Sequence, residues 1–575
     1  MARTRNTTDG DESGPKLLRL VFMTALAISL GVFEELADPF GLDTQTDRLS
    51  ANIFNTITSP FYGRDSNLKL TVTTDNKTEE RSFGSRFGQS NIVVLLIDDD
   101  YLTAIKRSWP LEPRRYTRIL RKLVDAGASA VFVDIYFLQN SLERQQGVAR
   151  LYTQSTCLVE KSACSTVDEN WTCADLADRA PCDEPAAKAG TDIIFAGTLR
   201  DPVPAANEVM PPGSALAQMS SAENFYNLRQ TLSGEQFPTA AWALYQAWCW
   251  RDARCDTSRL DEFPTKPLYL HWGYAPNRMM TDPDLGEFGS AECVAQACTL
   301  IGRLAQSLKV FGWNFIRGFH KQDSLCLYHS QLGLQLFNNL SPVELEELFG
   351  GKVVLLGASL KNFPDYQWSP VHSFVPGVFW HAMAVDNLME FSDKYMTEAE
   401  EAGEYFEPIG IAVIFILQAF LSWTINRREE REKLGEIARL KLDLLHGLLI
   451  ICAISAIVLW MTGLQRWSPA NWIGFAMLMF LIDFKPVTAV PRFCWMIFPT
   501  VRMAQRPFRF ISNLVFSTLC VLGMVLAAYC IFVLPHALLL QGGIDDTTIS
   551  YVYIFAYAVI IIWPCAWKIF RRGSS

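Results

Sequence analysis

The segment 91–97 (NIVVLLI) is a continuous apolar run that contains four β-branched residues and is followed by three consecutive aspartates. An apolar run of this length is typical of a strand that is buried on both faces, as in parallel sheets covered by helices. Pro113 then opens a helical pattern that Gly127 ends, and 130–135 is a second buried strand. These segments predict a right-handed β–α–β crossover and therefore an α/β fold with a mainly parallel sheet.

The same alternation of strand and helix patterns continues toward residue 391. We predict further strands at 192–198, 268–272 and 352–356, and further helices at 238–250 and 376–391. The predicted fold of this part is therefore a sheet with flanking helices, and we place it in a domain that covers residues 40–405.

Apolar residues are concentrated outside that domain. Half of the sequence is hydrophobic and only 19% is charged, whereas soluble proteins carry about 25% charged residues. Runs long enough to cross a bilayer predict an α-helical multi-span membrane domain beside the α/β domain. The predicted spans are 17–37, 408–425, 444–464, 468–484, 511–540 and 549–569. The first could instead be a cleavable signal peptide, and 468–484 is short enough for a re-entrant segment.

Basic residues give the predicted orientation. They are concentrated in the segments 426–443 and 485–510 and at the end of the chain, and Lys and Arg are retained on the cytoplasmic side of a membrane. We therefore expect these two loops, the tail 1–16 and the C-terminus to be cytoplasmic, and 40–405 to be extracytoplasmic. This is the topology of a multi-pass protein of the bacterial inner membrane, with the lipid bilayer as one partner. The net charge of −9 argues against binding to nucleic acid.

Nine of the 14 cysteines lie in the predicted outer domain, and several fall within the polar segment 140–190, which we interpret as an irregular surface insertion. Close pairs in an oxidising compartment indicate disulfides, although spacing alone does not give their connectivity. The alternative, a zinc cluster, lacks any CxxC spacing and has few histidines nearby. The candidate disulfide cysteines are Cys157, Cys164, Cys173, Cys182, Cys249, Cys255, Cys293 and Cys298.

Polar residues at the ends of the predicted strands form the candidate ligand site. Ligands of open parallel sheets bind beyond the carboxyl ends of the strands, although an aspartate there also serves as a helix cap. The candidate ligand-binding residues are Asp98, Asp99, Arg114, Asp134, Ser359, Asp365 and His381. We find no phosphate-binding loop, metal motif or catalytic arrangement, and expect neither enzyme activity nor a cofactor.

The predicted outer domain resembles the type-two CHASE domain, an extracellular sensory module of bacterial signalling proteins. An opening block, a middle block and a closing block carry the resemblance, which covers about 40–395. The blocks are 94–99 with 109–110, 113–114, 120, 127–128 and 132–137, then 237–244, and finally 351–359 with 365, 370, 376–378, 381–382 and 387–388. Family members commonly continue into a cytoplasmic kinase or cyclase, and no such output domain follows in this sequence.

The resemblance implies a membrane-anchored sensor of an unidentified small ligand. Because no output domain follows, we expect a separate cytoplasmic partner and association with further copies of the chain. The alternative is a structural or pore-forming subunit of a membrane complex, in which the outer domain serves as a scaffold or a gate.

Overall fold

The structure is a computed structural model in which the larger of two compact units covers 55–398 and 540–543, and the smaller covers 1–54, 399–539 and 544–575. The residues that it describes are 42–74, 77–137, 142–163, 190–197, 214–216, 224–232, 235–257, 260, 266–276, 297, 299–317, 327–361 and 365–397, with isolated positions between 416 and 466.

A six-stranded parallel sheet forms the centre of the larger unit. Its strands, in chain order, are β3 (Ile92–Asp98), β4 (Ala130–Val133), β5 (Asp192–Gly197), β6 (Ser214–Leu216), β11 (Ser330–Gly333) and β12 (Val353–Ser359). Their order across the sheet is β11-β3-β12-β4-β5-β6, and every neighbouring pair is parallel. The predicted α/β class and parallel sheet are confirmed.

Helices cover both faces of this sheet. The helices of the described residues, in chain order, are α1 (Leu42–Thr58), α2 (Phe87–Asn91), α3 (Asp99–Ala104), α4 (Pro113–Asp125), α5 (Leu142–Ala163), α6 (Ala240–Cys249), α7 (Leu300–Arg317), α8 (Leu334–Asn339), α9 (Pro342–Phe349) and α10 (Val378–Phe391). Ile92, Val94 and Leu96 of β3 belong to a core with α6 and α10, and their neighbours along the strand belong to a second core with α4, α5, α8 and α9. Alternation along one strand thus supplies two hydrophobic cores.

Short antiparallel pairs lie outside the central sheet. They are β1 (Asp65–Thr74) with β2 (Lys77–Arg86), β7 (Phe225–Tyr226) with β10 (Leu268–Tyr269), β8 (Arg229–Leu232) with β9 (Glu235–Pro238), and β13 (Tyr366–Ser369) with β14 (Ser373–Pro376). The strand predicted at 268–272 is therefore not part of the parallel sheet. Part of the insertion predicted to be irregular at 140–190 is the helix α5.

The predicted α-helical multi-span membrane domain is not supported. In the described part of the chain, no helix is long and apolar enough to cross a membrane. Only α5 and α7 reach 18 residues there, and they carry five and three charged side chains respectively. The predicted spans 17–37, 468–484, 511–540 and 549–569, and most positions of 408–425 and 444–464, lie outside the described residues, as do the two predicted loops.

Two of the candidate cysteines, Cys249 and Cys255, form a disulfide at the end of α6. Cys157 on α5 is also disulfide-bonded. The other five candidates lie outside the described residues. The Cys249–Cys255 bond closes a short loop of seven residues. Its expected contribution to the free energy of unfolding is therefore at the lower end of the usual range for disulfides.

We expect Cys255→Ser to lower the free energy of unfolding by about 2 kcal/mol, because the unfolded chain regains the freedom of the closed loop. Denaturant unfolding of both chains measures the difference, and adding a reductant should abolish it. Mass spectrometry after alkylation without reductant provides a direct check. Modification of both Cys249 and Cys255 in the folded chain under those conditions would contradict the bond.

Candidate functional site

Two aspartates, Asp134 and Asp365, lie near the carboxyl end of the parallel sheet, close enough for the charge of Asp365 to raise the pKa of Asp134. Asp134 directly follows β4, and its backbone N–H donates to the carbonyl of Leu356 on β12. Burial, together with the charge of Asp365, raises the pKa of Asp134 to about 8. Burial also raises the pKa of Asp365 to about 6. The pair therefore holds about one proton between its two carboxyls at neutral pH.

His381 points at this pair from α10. Its Nε2 lies 3.9 Å from Oδ1 of Asp134, which is too long for a direct hydrogen bond, and the His381 side chain is 2% exposed. Its Nδ1 lies 2.7 Å from the hydroxyl oxygen of Tyr226, which accepts a hydrogen bond from the backbone N–H of Ala241. The tautomer of His381 decides which of the two atoms, Nδ1 or the Tyr226 hydroxyl, is the donor in this hydrogen bond. Burial lowers the pKa of His381 to about 3, so the ring is neutral.

An exposed tyrosine borders the two carboxyls on the solvent side. Burial of its hydroxyl and the charges of Asp134 and Asp365 raise the pKa of Tyr136 to about 12, although 44% of the residue remains exposed. We call Asp134, Asp365, His381, Tyr226 and Tyr136 the acid–histidine site. It combines two acidic groups, a neutral imidazole and an aromatic ring at the surface.

The remaining predicted site residues at this edge have structural partners. Asp98 caps α3 by accepting from the backbone N–H of Tyr101 at 2.7 Å, and Asp99 accepts from the backbone N–H of Lys361 at 3.0 Å. The hydroxyl of Ser359 lies 3.3 Å from that of Tyr366. These three residues lie at the same end of the sheet as the acid–histidine site. Asp98 serves as a helix cap, and Asp99 and Ser359 connect neighbouring loops.

Arg114 is not part of the site. It is exposed on α4 and forms no ion pair with a described residue. The structure therefore brings together three of the seven predicted site residues, Asp134, Asp365 and His381.

A second polar cluster is buried at the opposite end of the sheet, near the amino ends of β3 and β11. Asp386 of α10 is fully buried, and its carboxylate accepts from the hydroxyl of Tyr62 at 2.7 Å and from Nε2 of His329 at 2.9 Å. The carboxylate also lies so close to Gly88 of α2 that a Cβ atom there would be 1.9 Å from Oδ2. Asp386 is thus fixed by two hydrogen bonds and by contact with a backbone.

Glu390, one turn after Asp386, connects the end of α10 to the start of the larger unit. Its carboxylate accepts from Nε of Arg64 at 2.9 Å and from the backbone N–H of Arg64 at 3.2 Å. Burial and the charge of Asp386 raise the pKa of Glu390, while Arg64 opposes this shift. We call Tyr62, Arg64, His329, Asp386 and Glu390 the junction network.

Comparison with protein-family models gives one match, to the CHASE2 domain, over residues 68–419. This match covers more than half of the 575 residues. The chain belongs to the CHASE2 domain family. The described part of the larger unit is therefore a sensory domain of an extracellular type, as the resemblance in the sequence implied. No curated protein and no solved structure matches the chain.

Sequence reasoning missed several polar residues of this CHASE2 domain. Tyr226 lies in the short strand β7 and His329 directly precedes β11, and no local sequence pattern identifies either residue. Asp386 and Glu390 did carry a signal, because they are acidic residues spaced four apart in a predicted helix that is otherwise almost entirely apolar. On a helix with no polar face, such residues indicate buried polar partners.

In the described part of the CHASE2 domain, no group of three or more histidine, cysteine or acidic side chains is close enough to hold a metal ion. The acid–histidine site contributes two carboxyls and an imidazole whose Nδ1 is hydrogen-bonded to Tyr226. These groups can exchange hydrogen bonds with a ligand.

Proposed function

We propose that this CHASE2 domain senses a small ligand at the acid–histidine site and passes the ligand-bound state to a separate cytoplasmic partner. Family membership supplies the sensory role. The observation that carries the location of the site is the buried carboxyl of Asp134, whose pKa is raised to about 8 by burial and by the charge of Asp365 and which lies 3.9 Å from Nε2 of His381.

The acid–histidine site lowers the stability of the folded domain. The Asp134 side chain is 8% exposed, and the basic group that the structure places next to it is the neutral His381. A buried carboxyl that lacks a cation is destabilising when it ionises. Strongly shifted pKa values of this kind are enriched at functional sites. Ligand binding is a reason to retain Asp134 and Asp365 where apolar residues would be more stable.

Helix α10 offers a path from the ligand site to the junction network. His381 lies near its first turn and Glu390 near its last, and 13 of its 14 residues are buried. A helix packed on all sides shifts as a unit, because its neighbours have no free volume to absorb a local change. We propose that a ligand at His381 displaces α10 and thereby changes the contacts of Asp386 and Glu390.

A thermal-shift screen of the full chain against small metabolites tests the ligand site. We expect at least one compound that raises the unfolding temperature of the unaltered chain and not that of Asp134→Asn. Asp100→Asn is the matched control, because Asp100 is an exposed acid at the same edge of the sheet. Hits that act equally on all three chains, or no hits at all, would argue against sensing at this site and favour a structural role.

Hydrogen exchange with such a hit tests the relay. The amide of Arg64, which donates to Glu390, should change its exchange rate when ligand binds at the other end of α10. Changes confined to residues around Asp134 would show binding without relay along α10. Delivery to a cytoplasmic partner also requires the chain to be attached to a membrane, which cell fractionation tests.

A further inference from the structure

Helix α7 is oriented with polar side chains toward the domain and apolar side chains toward solvent. Ile301 is 80% exposed, Leu300 is 43% exposed and Leu308 is 38% exposed. Ala305, which lies on the same side of the helix, is exposed as well. Surface helices normally have the opposite arrangement, with the apolar stripe facing the core. We call these four residues the α7 stripe, and a contiguous apolar surface of this kind indicates an interaction site.

Polar contacts on the buried side fix α7 in this orientation. Nη2 of Arg303 donates to Oδ1 of Asp65 at 2.9 Å, and Nε of Arg303 donates to the carbonyl of Ala297 at 2.9 Å. The hydroxyl of Ser307 donates to the carbonyl of Ile57. Arg303 and Ser307 are both buried. Rotating the helix to bury the stripe would break these bonds, so the exposure of the stripe is a consequence of the fold.

We propose that the α7 stripe is a self-association surface, which packs against the same stripe of a second copy of the chain. The spacing of its residues suits a helical partner. Ile301, the half-buried Leu304 and Leu308 are three and four residues apart, which is the spacing of apolar positions at the contact between two paired helices. Ala305 beside them is small, so a second helix can approach closely.

The charges around the stripe favour a second copy over a lipid surface. A helix that lies on a membrane presents several Lys or Arg side chains to the headgroups beside its apolar face. Residues 300–312 contain two cations, and one of them, Arg303, is buried against Asp65. The other, Lys309, is exposed at the margin of the stripe, one residue after Leu308. The stripe itself is uncharged and can therefore face its own copy without repulsion.

The size of the stripe determines the strength of the association. Stable interfaces use about 20–30 residues on each side, whereas the stripe lies within the nine residues 300–308. The expected dimer is therefore weak, and its population rises with the concentration of the chain. Contacts between identical copies that use the same patch on both are the commonest kind in oligomers. In such a contact, each substitution in the stripe acts twice.

Photocrosslinking of the purified full chain identifies what covers the stripe. The photoreactive p-benzoylphenylalanine in place of Ile301 should give, after illumination, a covalent product of twice the chain mass. Mixing isotopically light and heavy copies should show by mass spectrometry that the linkage joins the 300–312 segments of two different copies. Val343 of α9, which is 65% exposed, is the matched control position. The same photoreactive group there should give no such product.

Leu308→Glu should weaken the association. Both copies contribute the glutamate to the contact, so two like charges oppose each other in the stripe. Sedimentation velocity over a range of concentrations should give a dissociation constant at least tenfold higher than that of the unaltered chain, and Val343→Glu should leave it unchanged. Because Leu308 is partly exposed and glutamate is a good helix former, the unfolding temperature should stay close to that of the unaltered chain.

Other results overturn the proposal. A product that joins position 301 to a lipid, or to another segment of the same copy, would assign the stripe to that occupant instead. Absence of any product would show that the stripe faces solvent. A dimer that Leu308→Glu leaves unchanged would place self-association elsewhere on the chain. All of these results leave the acid–histidine site untouched, so the proposed sensing function is tested separately.

Discussion

Replacing Gly88 by alanine is expected to destabilise the domain by about 3 kcal/mol, although alanine is the better helix former. A Cβ atom at this position would lie 1.9 Å from Oδ2 of Asp386. The carboxylate cannot retreat without breaking its hydrogen bonds to Tyr62 and His329, both of which are buried. Forcing extra volume into a packed interior costs about 1–3 kcal/mol, and here it also breaks buried polar contacts.

Gly312→Ala is the matched control for this experiment. Gly312 lies within α7, and among the described residues no atom outside its own stretch of helix would lie within 4 Å of an added Cβ. Alanine there should stabilise the domain by about 0.5–1 kcal/mol through helix propensity alone. Denaturant unfolding of the two variants should thus give changes of opposite sign. A stabilising effect of Gly88→Ala would show that Asp386 is not held where the structure places it.

Asp134→Asn is expected to change how stability depends on pH. The pKa of Asp134 is about 8 in the folded chain and 3.8 in the absence of burial. The folded state therefore holds a proton that the unfolded state releases, so this contribution is fully present below pH 3.8 and is lost as the pH rises toward 8. One pKa unit corresponds to about 1.4 kcal/mol, so the loss is on the order of 5 kcal/mol.

The asparagine variant keeps the shape of the side chain and cannot ionise. We expect the unaltered chain and Asp134→Asn to have similar stability near pH 4 and the variant to be more stable by several kcal/mol at pH 8. Denaturant midpoints between pH 4 and pH 9 measure this, with Asp100→Asn as the exposed control. Parallel pH profiles for all chains would mean that Asp134 is solvated or neutralised by a cation. A gain in stability with a loss of binding is typical of a functional site.

The strands of the sheet were predictable where burial on both faces gives an unbroken run of apolar residues. The run 91–97 and the segment 352–356 are apolar on both faces, so their strand character and parallel arrangement could be inferred without any partner. β11 was not predicted, because Ser330–Gly333 is a short and partly polar strand at the edge of the sheet. The segment around Leu268 has the composition of a core strand, but it pairs with β7 in a separate antiparallel ribbon.

The candidate site was predictable only in part, since long-range contacts assemble it. The rule that ligands bind at the carboxyl ends of parallel strands was sufficient to select Asp134 and Asp365. The rule could not distinguish them from Asp98 and Asp99, which also follow a predicted strand. Asp98 serves mainly as a helix cap, and Asp99 links its loop to Lys361. Tyr226 reaches His381 across 155 residues of sequence, and no spacing rule indicates such a contact.

The bond between Arg64 and Glu390 also determines how the domain can be joined to other proteins. The backbone N–H of residue 64 lies 3.2 Å from a side chain of residue 390, so two positions near the ends of the segment 55–398 lie side by side. Folds with adjacent ends tolerate insertion and circular permutation, because a short linker can close them without disturbing the core. Because of this geometry, the segment could be inserted into a loop of another protein, with both of its ends attached at neighbouring positions of the host.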